Sequence, residues 1–493
     1  MNMKVAVIGS GIGGLSSAIR LSKLGYEVSV FEANAFVGGK VNEQWLGNYR
    51  FDMGPSVFTE PKLIEELMIL CGKNPNDFSY RKLEESCRYF FSDGQQVHMP
   101  SGLSAAAQTF AKEFGENQQR TERFLKRLSK NYAALSPVFI QASLHRFHQW
   151  CNKGVFHAIL RLPYYGMIRS MSKVNKAHFK NPKSAQLLNR MATYNGSSPY
   201  RTPGLLNIIS HLEFNEGPAM PIGGMVTISK TLHALCLELG VKFYLNERVE
   251  EILHQENRVV GIRTEHQTSV CDLVVSNMDV HFTYERLLNG LHEPKKILRQ
   301  EKSSSAIVFY WGIKRSFPEL GVHNIFFAAD YKAEFDAIFN TKTRFDDPSI
   351  YVHITSKVEE HDAPSGSENW FVMVNAPIDV GQDWDEFIAE TRRNCLNKLS
   401  KALDCDIEKL IEVEAINEPR KIEAVYFGKQ GSIYGNSSNN AFSAFYRHPN
   451  FSRTLSGLYF AGVTVHPGGG IPLALNSAKI VERCVREDYL NKK

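Results

Sequence analysis

Cysteine is scarce in this 493-residue sequence, and the few cysteines are scattered along it. No two of them form the C-x-x-C pair that is typical of zinc sites and redox motifs. This spacing argues against a metal centre and against a disulfide framework, and it fits the reducing cytoplasm. The eight cysteines are Cys71, Cys87, Cys151, Cys236, Cys271, Cys395, Cys405 and Cys484.

Long apolar runs are absent as well. No stretch reaches the roughly 18 consecutive apolar residues that a membrane-spanning helix requires. An apolar strand pattern begins already at Lys4, which leaves no room for a signal or transit peptide. We therefore expect a cytoplasmic protein that spans no membrane. The overall composition, 43% hydrophobic and 22% charged, is that of a globular protein with two or three domains.

Acidic residues are missing from one long stretch. Residues 123–212 contain no Asp or Glu, although the whole chain has 52 acidic residues. Fourteen basic residues occur there: Arg123, Lys126, Arg127, Lys130, Arg146, Lys153, Arg161, Arg169, Lys173, Lys176, Lys180, Lys183, Arg190 and Arg201. Large apolar residues alternate with them, namely Phe139, Ile140, Phe147, Trp150, Phe156, Ile159, Leu160, Leu162, Tyr164, Tyr165, Met167, Ile168 and Met171.

This basic, apolar and mostly helical pattern is typical of segments that bind the anionic surface of a bilayer. Two other interpretations compete with membrane docking. Basic and aromatic residues also bind nucleic acid, but no nucleic-acid module is visible and the side chains are too apolar, so we expect no nucleic-acid partner. The third interpretation is a plain helical domain that lacks acids by chance.

What the sequence does contain is a glycine motif at its start. Val5 to Ile8 form a short β-branched apolar run, which predicts a buried parallel strand. A helix is predicted over Ser16 to Leu24, and a second strand over Val28 to Phe31. Between the first strand and the helix, glycines follow at G-x-G-x-x-G spacing: Gly9, Gly11 and Gly14.

Each part of this motif has a physical role in dinucleotide binding. Gly9 permits the tight turn, Gly11 lets the backbone approach a pyrophosphate, and Gly14 allows the helix to pack closely. The helix N-terminus offers free N–H groups to the phosphates. Glu32, at the end of the second strand, can accept hydrogen bonds from the ribose hydroxyls. The motif predicts bound FAD or NAD; the alternative is a glycine-rich turn in an unrelated α/β fold.

Further motifs indicate a particular family. Gly38-Gly39-Lys40 follows Glu32, and Phe51 to Ser56 reads FDMGPS. Together with the glycine motif, these resemble the FAD-dependent carotenoid desaturases of the bacterial phytoene desaturase type, within the flavin amine oxidase-like superfamily. The family usually has Arg where this chain has Lys40, so a bidentate phosphate contact becomes a point charge.

The C-terminal part carries the same resemblance. Gly457 to Gly462 predicts a strand, Val463 to Gly470 (VTVHPGGG) a glycine-rich loop, and Ile471 the start of a helix. Such a helix N-terminus can stabilise charge that develops on a reduced flavin. The return of the chain to the dinucleotide fold favours FAD over NAD, and no covalent attachment pattern is present.

The resemblance implies the cofactor contacts. It places the Val249 backbone at the adenine and Asn277 near the diphosphate. His466, in the glycine-rich loop, is a candidate base, although a structural role is at least as well supported, and the catalytic residue stays unknown. The implied FAD-binding residues are Gly9, Gly11, Ile12, Gly13, Gly14, Glu32, Lys40, Pro55, Ser56, Val249, Asn277, Gly462, Gly470, Ile471 and Pro472.

The expected fold is α/β, with a Rossmann-like FAD-binding domain of the flavin amine oxidase type, a mixed-sheet substrate domain and a helical membrane-facing cap. We assign residues 1–100, 216–289 and 421–493 to the FAD-binding domain, 101–215 to the basic cap and 290–420 to the substrate sheet. Five aromatic residues are candidates to line an apolar cavity: Phe309, Trp311, Phe326, Phe327 and Phe371.

The resemblance implies a desaturase that forms C=C bonds in a polyene reaching the flavin through a tunnel from the cap. The segment from Ser305 to Phe327 is more similar to desaturases of hydroxylated carotenoids, which act at the 3,4-bond, than to phytoene desaturases. This similarity implies 3,4-desaturation of a 1-hydroxylated carotenoid rather than phytoene desaturation. A flavin amine or porphyrinogen oxidase and a non-catalytic escort protein on the same fold are the alternatives. The oligomeric state does not follow from the sequence.

Overall fold

The computed structural model describes residues 3–143, 145–146, 150, 154–156, 165–288, 291, 293–440, 443 and 446–490. Within these residues the strands, in chain order, are β1 (Lys4–Ile8), β2 (Glu27–Phe31), β3 (Glu43–Leu46), β4 (Tyr49–Asp52), β5 (Tyr80–Lys82), β6 (Glu85–Phe90), β7 (Gln96–Pro100), β8 (Ala219–Pro221), β9 (Lys242–Tyr244), β10 (Val249–Gln255), β11 (Arg258–Thr264), β12 (Thr268–Val270), β13 (Leu273–Ser276), β14 (Ser305–Ile313), β15 (His323–Phe326), β16 (Ile350–Ile354), β17 (Glu368–Ala376), β18 (Ile411–Asn417) and β19 (Leu458–Phe460).

The longer helices of the described chain are α1 (Ile12–Lys23), α2 (Lys62–Leu70), α3 (Leu103–Phe114), α4 (Gln118–Leu135), α5 (Met171–His178), α6 (Pro182–Asn189), α7 (Val226–Glu238), α8 (Trp384–Ala402), α9 (Pro419–Tyr426) and α10 (Ile471–Val485). Shorter helical segments are Pro75–Asp77, Ser136–Ile140, Arg190–Asn195, Gly204–Ile208, Ile209–His211, Leu212–Glu216, Val280–Phe282, Thr283–Leu287, Lys295–Leu298, Tyr331–Asp336, Ala337–Thr341, Thr355–Lys357, Glu360–Asp362, Glu408–Leu410, Lys429–Gly431 and Arg486–Leu490.

A five-stranded parallel sheet forms the first layer, in the order β19-β13-β1-β2-β9. Its strands come from three distant parts of the chain, so the two ends of the chain meet in one sheet, as predicted. The central strand β1 is buried along Val5 to Ile8, which explains its continuous apolar run. Helix α1 packs between α7 and α10 on this sheet.

A seven-stranded sheet forms the second layer, in the order β18-β14-β17-β16-β15-β6-β7. Strands β14 to β17 belong to the region 290–420 that is predicted to form the substrate sheet, and helix α8 lies in the same region. Strands β6 and β7 form a hairpin around Asp93-Gly94, and β6 also pairs with β15. Residues 85–100 therefore extend the substrate sheet, in contrast to the predicted assignment of residues 1–100 to the FAD-binding domain. The other domain limits stay predictions.

Helix α1 begins earlier than its predicted start at Ser16. It starts at Ile12, so Gly13 and Gly14 lie inside its first turn. The hydrophobic periodicity that locates a helix does not register glycines, which explains the late predicted start. The early start of α1 matters for function, because it makes the N–H groups of the glycine motif part of the helix N-terminus.

The acid-free region is helical, with α4, α5 and α6 as its main described elements. Several of its basic residues pair with acids from other parts of the chain, as Arg146 does with Asp488 and Arg201 with Glu301. No helix of the described residues is long and apolar enough to cross a membrane. Some residues of the predicted pattern lie outside the described ranges: Phe147, Lys153, Ile159, Leu160, Arg161, Leu162 and Tyr164.

Candidate active site

A cavity of about 680 Å³ lies between the parallel sheet, the seven-stranded sheet and the helical region. It collects the residues predicted to bind FAD, with the exception of Gly14. The predicted residues that line it are Gly9, Gly11, Ile12, Gly13, Glu32, Lys40, Pro55, Ser56, Val249, Asn277, Gly462, Gly470, Ile471 and Pro472.

The glycine motif is packed too tightly for side chains. Gly9 has a φ of +89°, which only glycine adopts readily, and it makes the turn out of β1. A methyl group on Gly14 would lie 2.1 Å from the Gly9 carbonyl oxygen, and one on Gly13 would lie 2.7 Å from the Gly462 nitrogen. Gly14 therefore supports the turn from behind, which is why it does not line the cavity.

Both helix N-termini at the cavity lack a side-chain cap. Helix α1 follows Gly11 and helix α10 follows Gly470, and neither glycine can supply the usual hydroxyl or carboxylate acceptor. The first N–H groups of each helix are thus left for a ligand, together with the positive end of the helix dipole. This arrangement fits a diphosphate at α1 and a flavin carbonyl edge at α10.

The second glycine pair lies against the first. The Gly38 N–H donates to the Ser10 carbonyl at 2.9 Å, and Gly39 lies beside Gly11. Lys40 lines the cavity, but its Nζ donates to the Ile433 carbonyl at 2.8 Å. Burial lowers the pKa of this ammonium to about 8, so Lys40 is still mostly charged at neutral pH.

Glu32 is held against the glycine loop by hydrogen bonds from Ser10 and Asn34. Its Oε2 accepts hydrogen bonds from Ser10 N and Oγ at 2.8 and 2.7 Å, and its Oε1 accepts from Asn34 N at 2.9 Å. Val249, the first residue of β10, lines the same end of the cavity. The buried carboxylate is therefore oriented by backbone N–H groups, as a ribose-binding acid requires.

His466 does not line the cavity, which argues against the role of base that we considered for it. Its imidazole is buried, and Nε2 donates to the Ala142 carbonyl at 2.8 Å. Burial lowers its pKa to about 3, so the ring stays neutral at physiological pH. Through this hydrogen bond His466 connects the glycine-rich loop to the helical region, a contact that favours the structural role.

The far part of the cavity is apolar. Phe327 and Phe371 line it as predicted, but Phe309, Trp311 and Phe326 do not. These three side chains point to the opposite face of the sheet, where they pack with α8. Other apolar lining residues come from the seven-stranded sheet and the helical region: Leu135, Phe139, Ile140, Met167, Leu205, Leu206, Ile208, Ile209, Leu212, Val308, Ile325 and Met373.

Two buried cationic side chains at the cavity were missed from the sequence. Arg447 is 3% exposed, and its Nη1 has no hydrogen-bond partner among the described residues. Burial lowers the pKa of Arg447 to about 10. Arg190 pairs with Glu213 in the cavity wall. In the sequence, the one hint of this ion pair is Glu213, the first acidic residue after the acid-free stretch 123–212.

The parallel sheet joins both chain ends, and two uncapped helix N-termini and the buried Glu32 carboxylate meet at one cavity, an arrangement that suits an oxidoreductase with a dinucleotide cofactor. Residues 12–485 match the family described as flavin containing amine oxidoreductase, and the chain belongs to that family. FAD is accordingly its cofactor.

Sequence relatives are also similar over nearly the whole chain. The chain is 47% identical over 477 residues to 1-hydroxycarotenoid 3,4-desaturase of Flavobacterium sp. (strain P99-3), covering 97% of this chain and 98% of the relative. It is 32% identical over 490 residues to 4,4'-diapolycopene oxygenase of Methylomonas sp, with 97% of each chain covered.

Solved structures share the fold at low identity. A putrescine oxidase variant superimposes with a TM-score of 0.66 at 14% identity, with 100% of both chains covered. Cyclohexylamine oxidase from Brevibacterium oxydans IH-35A superimposes with a TM-score of 0.62 at 15% identity, again over 100% of both chains. The predicted flavin amine oxidase-like fold is therefore confirmed.

Proposed function

We propose that this protein is an FAD-dependent desaturase that forms the 3,4 double bond of a 1-hydroxylated carotenoid. The observation that carries the proposal is the continuous cavity from the two uncapped helix N-termini to the apolar wall of the seven-stranded sheet. A polyene needs such a water-poor passage to reach a flavin. The 47% identity to a 1-hydroxycarotenoid 3,4-desaturase supports the choice of substrate.

Different residues of the chain would contact the cofactor, stabilise charge on it and hold the substrate. Bound FAD would accept the hydride that leaves one substrate carbon, while the neighbouring carbon loses a proton. The N-terminus of α10, beginning at Ile471 and Pro472, would stabilise negative charge on the reduced ring. Val308, Phe327 and Phe371 would hold the polyene and exclude water. We also propose that the predicted cofactor residues that line the cavity contact FAD.

Expression in carotenoid-producing bacteria tests this function. One host accumulates a 1-hydroxylated carotenoid and the other accumulates phytoene. We expect a red-shifted product two hydrogens lighter in the first host only, because one added C=C extends the conjugated system. A product from phytoene alone would favour a phytoene desaturase. A product that gains oxygen, or no product in either host, would contradict the proposal.

We propose further that the segment from residue 167 to 180 docks on the anionic surface of a membrane. Met167 lines the cavity, whereas the next residue, Ile168, is 86% exposed. The basic residues that follow are exposed, at Arg169, Lys173, Lys176 and Lys180. An exposed apolar residue beside four cations suits the headgroup region of an anionic bilayer. An apolar substrate could then enter the cavity from lipid.

Vesicle binding tests the docking surface. The variant Lys173→Glu/Lys176→Glu/Lys180→Glu should bind vesicles with 30% anionic lipid at least about 100-fold more weakly, because three lost cations at about 1 kcal/mol each sum to about 3 kcal/mol. The matched control reverses three exposed lysines elsewhere, at Lys314, Lys401 and Lys409, and should bind nearly as well as wild type. Sedimentation with vesicles measures both. Equal losses in the two variants would argue against this surface.

A further inference from the structure

A polar cluster interrupts the apolar wall of the cavity. Tyr89 Oη donates to Glu213 Oε1 at 2.8 Å, and Tyr194 Oη donates to Glu213 Oε2 at 2.8 Å. Arg190 Nη2 donates to the same carboxylate and to Tyr89 Oη. Arg190, Tyr194 and Glu213 line the cavity, whereas Tyr89 lies behind them. We call Arg190, Tyr194, Glu213 and Tyr89 the wall cluster.

The wall cluster costs more free energy of desolvation than an apolar cavity wall would. The side chains of Arg190 and Glu213 are 9% and 3% exposed, so both charges are largely removed from water. A buried ion pair rarely stabilises a fold more than apolar residues of the same size. Moreover, Arg190 Nε is buried, and no residue in the described part of the chain accepts a hydrogen bond from it. Such a cluster is better explained by a polar ligand than by stability.

Two observations place the wall cluster near the flavin end of the cavity. Tyr434 packs between Gly469 of the glycine-rich loop and Gly196, which follows the helical segment that carries Arg190 and Tyr194. On the other side, Ser56 of the FDMGPS turn and Tyr351 line the same cavity as the wall cluster. The cluster therefore lies near the glycine-rich loop, in the cavity that the FDMGPS turn also lines.

We propose that Arg190, Tyr194 and Glu213 form a binding subsite for the hydroxyl group at the end of the substrate. The inference rests on the proposed function and adds the residues that select the substrate. An alcohol can accept a hydrogen bond from the guanidinium and donate one to the carboxylate or the phenol. In a 1-hydroxylated substrate, three C–C bonds of about 1.5 Å separate C1 from C4, so the hydroxyl must bind close to the reacting carbons.

The chemistry of Tyr194 fits this role. Burial and the Glu213 charge raise the pKa of Tyr194 well above its ordinary value, so its phenol keeps its proton. Its O–H donates to Glu213, which leaves the phenol oxygen as an acceptor for the substrate. Because Tyr194→Phe removes only this oxygen, it keeps the ring packing and leaves the ion pair of Arg190 and Glu213 in place.

Steady-state kinetics with two substrates tests the subsite. For Tyr194→Phe we expect the KM of a 1-hydroxylated carotenoid to rise about tenfold, the effect of one lost hydrogen bond. The kcat should change less than about threefold, and both constants for the analogue without the hydroxyl should stay within about twofold. The ratio of kcat/KM for the two substrates should therefore fall about tenfold.

Tyr80→Phe is the matched control. Tyr80 Oη also donates to a glutamate, Glu65 Oε1 at 2.8 Å, but Tyr80 does not line the cavity. We expect this variant to keep the wild-type substrate ratio. Should Tyr194→Phe not fold, Glu213→Gln is the second variant, with the same expected fall of the ratio and thermal unfolding measured alongside.

The outcomes separate this inference from the proposed function. If wild type desaturates neither substrate, the proposed function is wrong. If wild type prefers the hydroxylated substrate but the Tyr194 variant retains that preference, the subsite is wrong and the function stands. Equal losses on both substrates would also overturn the subsite, because they indicate a structural role for the cluster.

Discussion

Replacing Gly14 with alanine should yield a protein that no longer retains FAD. The methyl group would lie 2.1 Å from the Gly9 carbonyl oxygen, and neither backbone can move without opening the turn that starts the dinucleotide site. Overpacking of this kind typically costs about 1–3 kcal/mol and occasionally more. We expect FAD binding to weaken at least about 100-fold, which corresponds to about 2.7 kcal/mol.

Flavin absorbance per mole of purified protein measures this loss, and titration of the depleted protein with FAD gives the affinity. Gly25→Ala serves as the control. Gly25 lies between α1 and β2 of the same layer, but no heavy atom of the described residues lies within 4 Å of a methyl group added there. Its φ of +88° costs the alanine variant about 1 kcal/mol of stability, with FAD retained. A yellow Gly14→Ala protein with wild-type affinity would contradict the role of this close contact.

The residues on the cofactor side of the cavity could be predicted because each of their motifs lies within a short stretch of the sequence. Gly9, Gly11 and Gly13 follow directly after β1, and Glu32 follows β2, so adjacent parallel strands bring them to one edge of the sheet. Gly462 and Gly470 sit in the same strand–loop–helix order at the other chain end. Such motifs carry their own backbone geometry, and little else of the fold must be known to place them.

The substrate side was harder, because it depends on which face of a sheet is covered. The alternation in β14 shows that Phe309 and Trp311 share one face and Val308 the other. It does not show that helix α8, far along the chain, covers the aromatic face, while the cavity lies on the face of Val308. The pairing of Arg190 with Glu213 across 23 residues leaves no periodic signal either.

The turn after β4 shows how buried charges hold the site in place. Strand β4 ends at Asp52 and leads directly into Pro55 and Ser56, which line the cavity. Arg50, on the same strand, makes a bidentate contact with Asp362 through Nε and Nη2 at 2.6 and 2.7 Å. Its Nη1 donates to Asp52 Oδ1 at 2.9 Å. The guanidinium thus joins the FDMGPS strand to the substrate sheet domain.

Replacing Arg50 with methionine should destabilise the protein by about 3–5 kcal/mol, because two buried carboxylates lose their common cation. Burial already raises the pKa of Asp52. Without Arg50 this pKa should rise further above its unfolded value, so the folded state binds more protons than the unfolded state. Stability of the variant should therefore fall as pH rises from about 4 towards the folded-state pKa of Asp52, and the deficit against wild type should be larger at pH 7 than at pH 4.5.

Chemical denaturation of the FAD-loaded protein at the two pH values measures this deficit, with flavin release as a second signal. Arg88→Met is the matched control, because the Arg88–Glu85 pair is partly exposed, with 20% and 30% of the side chains accessible. Such a pair is worth less than about 1 kcal/mol. The double variant Arg50→Met/Asp362→Leu should regain part of the loss, since it removes one unpaired carboxylate. Equal stability losses for Arg50→Met and Arg88→Met would show that the buried guanidinium does not hold the turn.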